Sequence, residues 1–184
     1  LGLLQNPSAR FLESGSMGFS WTHNEPFLRG SLVAYPFDWM EASYQYVDLN
    51  NALYSSSSAF SGSQSLKDKS FDAKFRLLQE SYLLPQIAVG FRDLAGTGLF
   101  NAEFLVASKL VSKNLDLTLG IGWGNMSGQQ IENPLTKFSE RFNSRTGEHG
   151  GDGQGGEFNI NTYFSGPAGY FAGIEYTLPN FHSL

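Results

Sequence analysis

Few of the residues that ordinarily carry chemistry stand in a working arrangement in this chain. Its three histidines, His23, His149 and His182, lie far apart with no metal-ligand spacing, so no metal site is expected. There is no Cys, which removes disulfides, thiolate ligands and Cys nucleophiles together. No G-x-S-x-G marks a nucleophilic serine. GIGWG at 120–124 is glycine-rich but sits inside an alternating segment, whereas a phosphate-binding loop needs a helix after it. DGQGG at 152–156 lacks the further spaced acids of a Ca²⁺ loop. Neither an enzyme nor a cofactor is expected. What remains is a set of charges at alternating positions: Arg29, Glu41, Asp72, Lys74, Arg76, Arg92, Glu103, Lys109, Asp116, Glu157 and Glu175. Mixed charges on one face either pair and fill a narrow space or line a wet passage for a hydrophilic substrate.

Only strands hold such residues on one side, because successive side chains of a strand point to opposite faces. The alternation is cleanest from Lys69 to Gly124. Phe71, Ala73, Phe75 and Leu77 oppose Asp72, Lys74 and Arg76; Pro85, Ile87, Val89 and Phe91 oppose Gln86, Ala88, Gly90 and Arg92. Phe100, Ala102, Phe104 and Val106 are read against Asn101, Glu103 and Lys109. Leu115, Leu117, Leu119, Ile121 and Trp123 oppose Asp116, Thr118, Gly120 and Gly122. Three earlier strands begin near residues 15, 27 and 40, and two later ones are expected around Phe158–Phe164 and Tyr170–Thr177, about nine in all. Residues 1–14 read as an irregular periplasmic lead-in, 15–179 as strands with long loops at about 49–68 and 124–156, and 180–184 as a tail.

Composition narrows what the apolar face meets. No run of 18 apolar residues exists, so no transmembrane helix is present, but barrel strands carry no such run either. Aromatics are 15% and charged residues only 16% of the 184, where a quarter charged is usual. A net charge of -5 argues against nucleic acid as a partner.

The connections sharpen the reading. In an up-and-down meander, alternate connections lie at opposite ends, and both long loops fall at the same end, as in outer-membrane barrels. On the apolar face, Trp21, Tyr46, Phe71, Phe91, Phe100 and Trp123 stand near that end, and Trp39, Phe164 and Tyr170 near the other. This is the pattern of two lipid-facing aromatic girdles. The expected fold is therefore an all-β, antiparallel, up-and-down transmembrane β-barrel of the outer-membrane type. Arg29, Glu41, Asp72, Lys74, Arg76, Arg92, Glu103, Asp116, Glu157 and Glu175 are its lumen-lining candidates. A soluble β-sandwich or lipocalin-like barrel would bury the same apolar face instead.

The segments GLLQNPSAR, YPFDWMEASYQYVD, LDLTLGIGWGNM and GGEFNINTYFSGPAGYFAGIEY, and above all the block from Lys67 to Lys109, resemble the YjbH family. The resemblance covers nearly the whole chain. It implies a bacterial outer-membrane β-barrel taking part in exopolysaccharide export or assembly, and it supplies no catalytic residues. The implied partners are outer-membrane lipid, a polysaccharide and other cell-envelope proteins. A barrel that docks envelope proteins and transports nothing is the alternative. Family members are longer and some are lipoproteins, and bacterial single-chain barrels have even strand numbers. The chain is accordingly expected to be an N-terminal portion of a larger barrel, or a truncated chain.

Overall fold

The computed structural model describes residues 6–96, 98–145 and 160–178. Its centre is one antiparallel sheet of eight strands in chain order: β1 (Met17–Asn24), β2 (Phe27–Phe37), β3 (Met40–Leu53), β4 (Ser65–Leu78), β5 (Gln86–Arg92), β6 (Ala102–Ser112), β7 (Leu115–Gly124) and β8 (Ala168–Tyr176). Among the described residues β1 and β8 pair only with β2 and β7, so the sheet stays open and curls as a half-barrel.

Register shows how the alternation is used. One row across all eight strands runs Met17, Ala34, Ala42, Ala73, Phe91, Glu103, Trp123 and Ala168. The face it belongs to also carries Phe19, Leu32, Tyr44, Phe71, Phe75, Leu105, Leu119, Tyr170 and Ile174. Much of this apolar face is uncovered: Phe19 is 71% exposed, Leu119 66% and Ile174 71%. The opposite, polar face is the buried one. Glu41, Asp68, Ser70, Lys74, Gln86, Ser108 and Thr118 are all buried there.

Several expectations need correction. There are eight described strands, not nine. Part of the strand expected near 158–164 lies outside the described residues; Ile160–Thr162 is a 3-10 turn, and Phe164 has a left-handed backbone with φ 58°. Phe164 therefore stands in the β7–β8 connection, and Tyr170 opens β8 opposite Ile121, so both sit at the long-loop end. At the short-turn end the rings are instead Phe37, Trp39 and Phe75, stacked at 5.3 Å and 6.2 Å, with Tyr176. The serine loop is shorter than 49–68, because β3 and β4 run 14 residues each and leave 54–64, with one helical turn, α1 (Ser58–Ser61). Both long connections, 54–64 and 125–167, do lie at one end of the meander.

The parity of β6 is the reverse of that read from its sequence. Gly90 pairs with Phe104 and Ala88 with Val106, which puts Phe104 and Val106 on the polar face and Glu103 and Lys109 on the apolar one. The cause is space above glycine. A Cβ on Gly90 would lie 2.1 Å from the Phe104 ring, and one on Gly120 2.1 Å from the Phe171 ring. Each ring lies across a neighbouring backbone that has no side chain, the close approach an in-strand glycine permits. Phe100 precedes β6 and packs on Phe27 at 6.4 Å, on the polar side of the sheet.

Candidate functional site

The charged face is built outward from β3 and β4. Glu41 pairs with Lys74 across the two strands, and the Lys74 ammonium sits 2.7 Å from a Glu41 carboxylate oxygen. The same ammonium donates to the carbonyls of Ser8 at 3.2 Å and Arg10 at 2.9 Å. All three of its protons thus have acceptors, which a buried ammonium requires. Asp72, two residues back on the same face, accepts from the Gln45 amide, from Ser43 Oγ and, at 2.9 Å, from the Asp93 backbone N–H.

Residues 6–11 lie along this face. The Ala9 N–H donates to Ser108 Oγ at 2.9 Å, and Ser108 shares a hydrogen bond of 2.7 Å with Thr118. The Gln86 amide donates to the Ala9 carbonyl. Ala9 packs with Ala88, Phe104 and Val106, and Phe11, Met126 and Phe171 close round them. The Phe11 ring lies edge-on to Tyr35 at 6.4 Å and takes the Lys74 ammonium over its face at 4.6 Å, a cation–π contact. Arg10 grips both Asp116 oxygens, Nε at 2.6 Å and Nη2 at 2.9 Å, and reaches Glu80 at 2.5 Å. Burial pushes the Glu80 carboxyl up, but hydrogen bonds from Arg10, the Leu110 N–H and Lys109 outweigh it, and the group titrates at about 2. Residues 6–11, expected to belong to an irregular lead-in, thus fill the half-barrel. No periodicity in this segment marks that role.

Register places Arg29, Glu41, Asp72, Lys74, Arg76, Arg92, Asp116 and Glu175 on this polar face. Glu103 does not join them, and Glu157 lies outside the described residues. Glu103 is 1% exposed on the apolar face, where Arg145 clamps both its oxygens at 2.8 Å. The Phe164 N–H adds a third hydrogen bond at 2.8 Å, and its left-handed backbone belongs to the chain turn that carries this N–H. Phe91, Tyr163, Phe164 and Trp123 surround the pair with ring centroids 5.2–5.6 Å apart. Phe91 and Trp123 are thus covered by the β7–β8 connection, while Trp21, Trp39, Phe71 and Tyr170 remain exposed and Tyr46 half-buried. Arg145 was missed by sequence reasoning, because it lies far from β6 along the chain in a polar loop.

Chemically, the polar face pairs Lys74 with Glu41, and it spends Lys74, Gln86 and Asp116 on holding residues 6–11. A comparison of the whole sequence with known families decides what it belongs to: the model described as "YjbH: Exopolysaccharide biosynthesis protein YbjH" matches residues 1–184. The chain belongs to the YjbH family. A YjbH relative of Escherichia coli K12, named an uncharacterized lipoprotein, is 43% identical over 180 residues, which cover 97% of this chain and 25% of the relative. The chain thus spans about a quarter of the length of that YjbH protein. No solved structure matches it. The YjbH description ties the family to exopolysaccharide biosynthesis.

Proposed function

We propose that this chain forms part of the wall of an outer-membrane β-barrel that takes part in exopolysaccharide export or assembly and catalyses no reaction itself. The observation that carries the reading is the uncovered apolar face. Phe19, Trp21, Leu32, Phe71, Leu119, Tyr170 and Ile174 are exposed on one side, while Glu41, Asp68 and Lys74 are buried on the other. A soluble sandwich or small barrel would bury the apolar side; a bilayer solvates it. The open edges at β1 and β8 suit a wall continued by further strands, since closure removes sheet edges. Export is the finer part of the proposal and draws on the family description; the name of the bacterial relative as a lipoprotein supports a cell-envelope location. Bilayer conductance of the full-length protein, with and without soluble polysaccharide, tests the conduit: open channels blocked by polymer are expected, and a closed wall indifferent to polymer overturns it.

A second reading has its own support. Residues 6–11 occupy the middle of the charged face, and Lys74, Asp116 and Gln86 are all spent on holding them. A wall filled in this way suits a barrel that docks other envelope proteins and passes nothing. A stable envelope complex, with exopolysaccharide output unchanged on deletion, favours it over the first.

A further inference from the structure

At the long-loop end of the sheet, a polar cavity of about 200 Å³ opens between the β5–β6 and β7–β8 connections. Asn101, Asn125, Ser127, Gln129, Arg145 and Ser165 line it. Two features mark it as built. The Arg145 side chain is 3% exposed, its terminal nitrogens are taken up by Glu103 and the Thr162 carbonyl, and among the described residues its Nε–H has no partner. A buried donor left unmade costs folding free energy, and a ligand oxygen in the cavity recovers it. Gly124 lets the walls of the cavity come together: it sits at φ +62°, and a Cβ there would lie 2.5 Å from the Asn101 carbonyl and 3.1 Å from the Arg145 guanidinium carbon.

Charge selects the ligand class. Glu103 already neutralises Arg145 in a two-pronged pair, so the remaining Nε–H donates without offering net positive charge. The other groups are amides and hydroxyls, each both donor and acceptor. The Asn125 amide nitrogen donates to the Leu99 carbonyl at 2.9 Å, which leaves its carbonyl oxygen as an acceptor. Gln129 is exposed and stands in a left-handed turn held by Ser127 Oγ at 3.2 Å. Uncharged amides and hydroxyls around one neutralised guanidinium match a molecule dense in hydroxyls and lacking charge. We infer that this cavity binds one neutral sugar unit of a polysaccharide at the long-loop end of the wall. The inference rests on the exopolysaccharide role proposed above and adds to it a place and a charge class.

Saturation-transfer NMR on the full-length protein in detergent, with glucose and galactose oligosaccharides as probes and glucuronate as the acidic counterpart, tests it. Saturation transfer to a neutral oligosaccharide is expected, falling at least tenfold in affinity in the Asn101→Ala, Gln129→Ala double variant. Gln129→Glu keeps the size of the side chain and should weaken binding as well. Assembly of each variant is checked by heat-modifiable migration on gels. No transfer to the neutral probes, a stronger response to glucuronate, or binding unchanged in assembled variants overturns the inference. Bilayer conductance of the same preparations reports on the conduit separately, so a failed sugar site and a failed conduit give different results.

Discussion

Among its described residues the molecule buries two ion pairs on opposite faces of one sheet, and they were not equally visible. Glu41 and Lys74 face each other on adjacent strands, beneath residues 8–11, with side chains 9% and 3% exposed. Glu103 and Arg145 are 2% and 3% exposed, beneath a long connection on the face that is otherwise apolar. The first pair is built by strand register, so alternation in β3 and β4 suffices to place it. The second is built by a loop folding back over the sheet, and local pattern contains nothing about that. Each pair is supported by further hydrogen bonds, from Lys74 to the Ser8 and Arg10 carbonyls, and from Arg145 to the Thr162 carbonyl and the Phe164 N–H to Glu103. What differs is the cover, a terminal segment on one face and an aromatic-rich connection on the other.

The sharpest way to break this parallel is to remove one partner from each pair. Arg145→Ala leaves the Glu103 carboxylate buried and unpaired, and Lys74→Ala does the same to Glu41. Each should cost about 3–5 kcal/mol of stability, read as a shift of the urea unfolding midpoint at unchanged slope. A loss below about 1 kcal/mol at Arg145 alone, the exposed-pair scale, would mean that the β7–β8 connection does not hold its cover in solution.

The two faces themselves differ in what they should tolerate. Leu119→Arg puts a charge on the exposed apolar face, at a cost of about 2–4 kcal/mol if that face meets mid-bilayer lipid. Glu175→Arg puts the same side chain on the polar face opposite Asp116 and should leave assembly intact. Heat-modifiable migration after refolding into vesicles reads both. Equal behaviour of the two variants would remove the membrane reading.

The reach of the sequence follows the same division. In β4 the charges Asp72, Lys74 and Arg76 alternate with Phe71, Ala73 and Phe75, and the observed faces agree with that parity. In β6, Phe104 and Val106 are apolar on one parity and Leu105 and Ala107 on the other, so hydrophobic pattern is tied and Glu103 appeared to decide it. Register to Gly90 decides it the other way, through the ring of Phe104. At Gly120 and Gly122, inside the alternating segment of β7, Phe171 and Met126 pack where side chains would otherwise stand. Arg10 had no periodicity to place it at all; its site exists only because four strands bring Glu80 and Asp116 to one spot.

Arg10 gives a milder contrast with Arg145, because its side chain is 32% exposed. Arg10→Ala should cost only about 1 kcal/mol or less near neutral pH. Its signature is the pH profile. Glu80 titrates at about 2 when folded, against 4.5 as its ordinary value. A depressed carboxylate contributes stability that is fully present above about pH 4.5 and is lost as pH falls through 2. Unfolding midpoints at pH 6 and pH 2 should therefore converge in Arg10→Ala relative to the parent chain.

The smallest effect is expected at Asp93, in the connection after β5, where the sign reverses. Burial, and after it the charges of Asp68 and Asp72, push its carboxyl up from 3.8 to about 6, against the hydrogen bonds it accepts from backbone N–H groups. The Phe100 N–H reaches one oxygen at 3.2 Å, and among the described residues the other oxygen has no partner. The folded state thus binds the proton more tightly than the unfolded chain, so stability falls as pH rises from about 4 to about 6 and is level above that. Asp93→Asn keeps an acceptor for Phe100 and removes the charge between two other carboxylates. It should be at least as stable as the parent at pH 7.5 and should flatten the profile between pH 4 and 6. A variant that is less stable at pH 7.5 with the slope unchanged would mean that the Asp93 charge is compensated in the fold, and that the acidic spot beside β4 is as fully paired as Glu41 and Lys74.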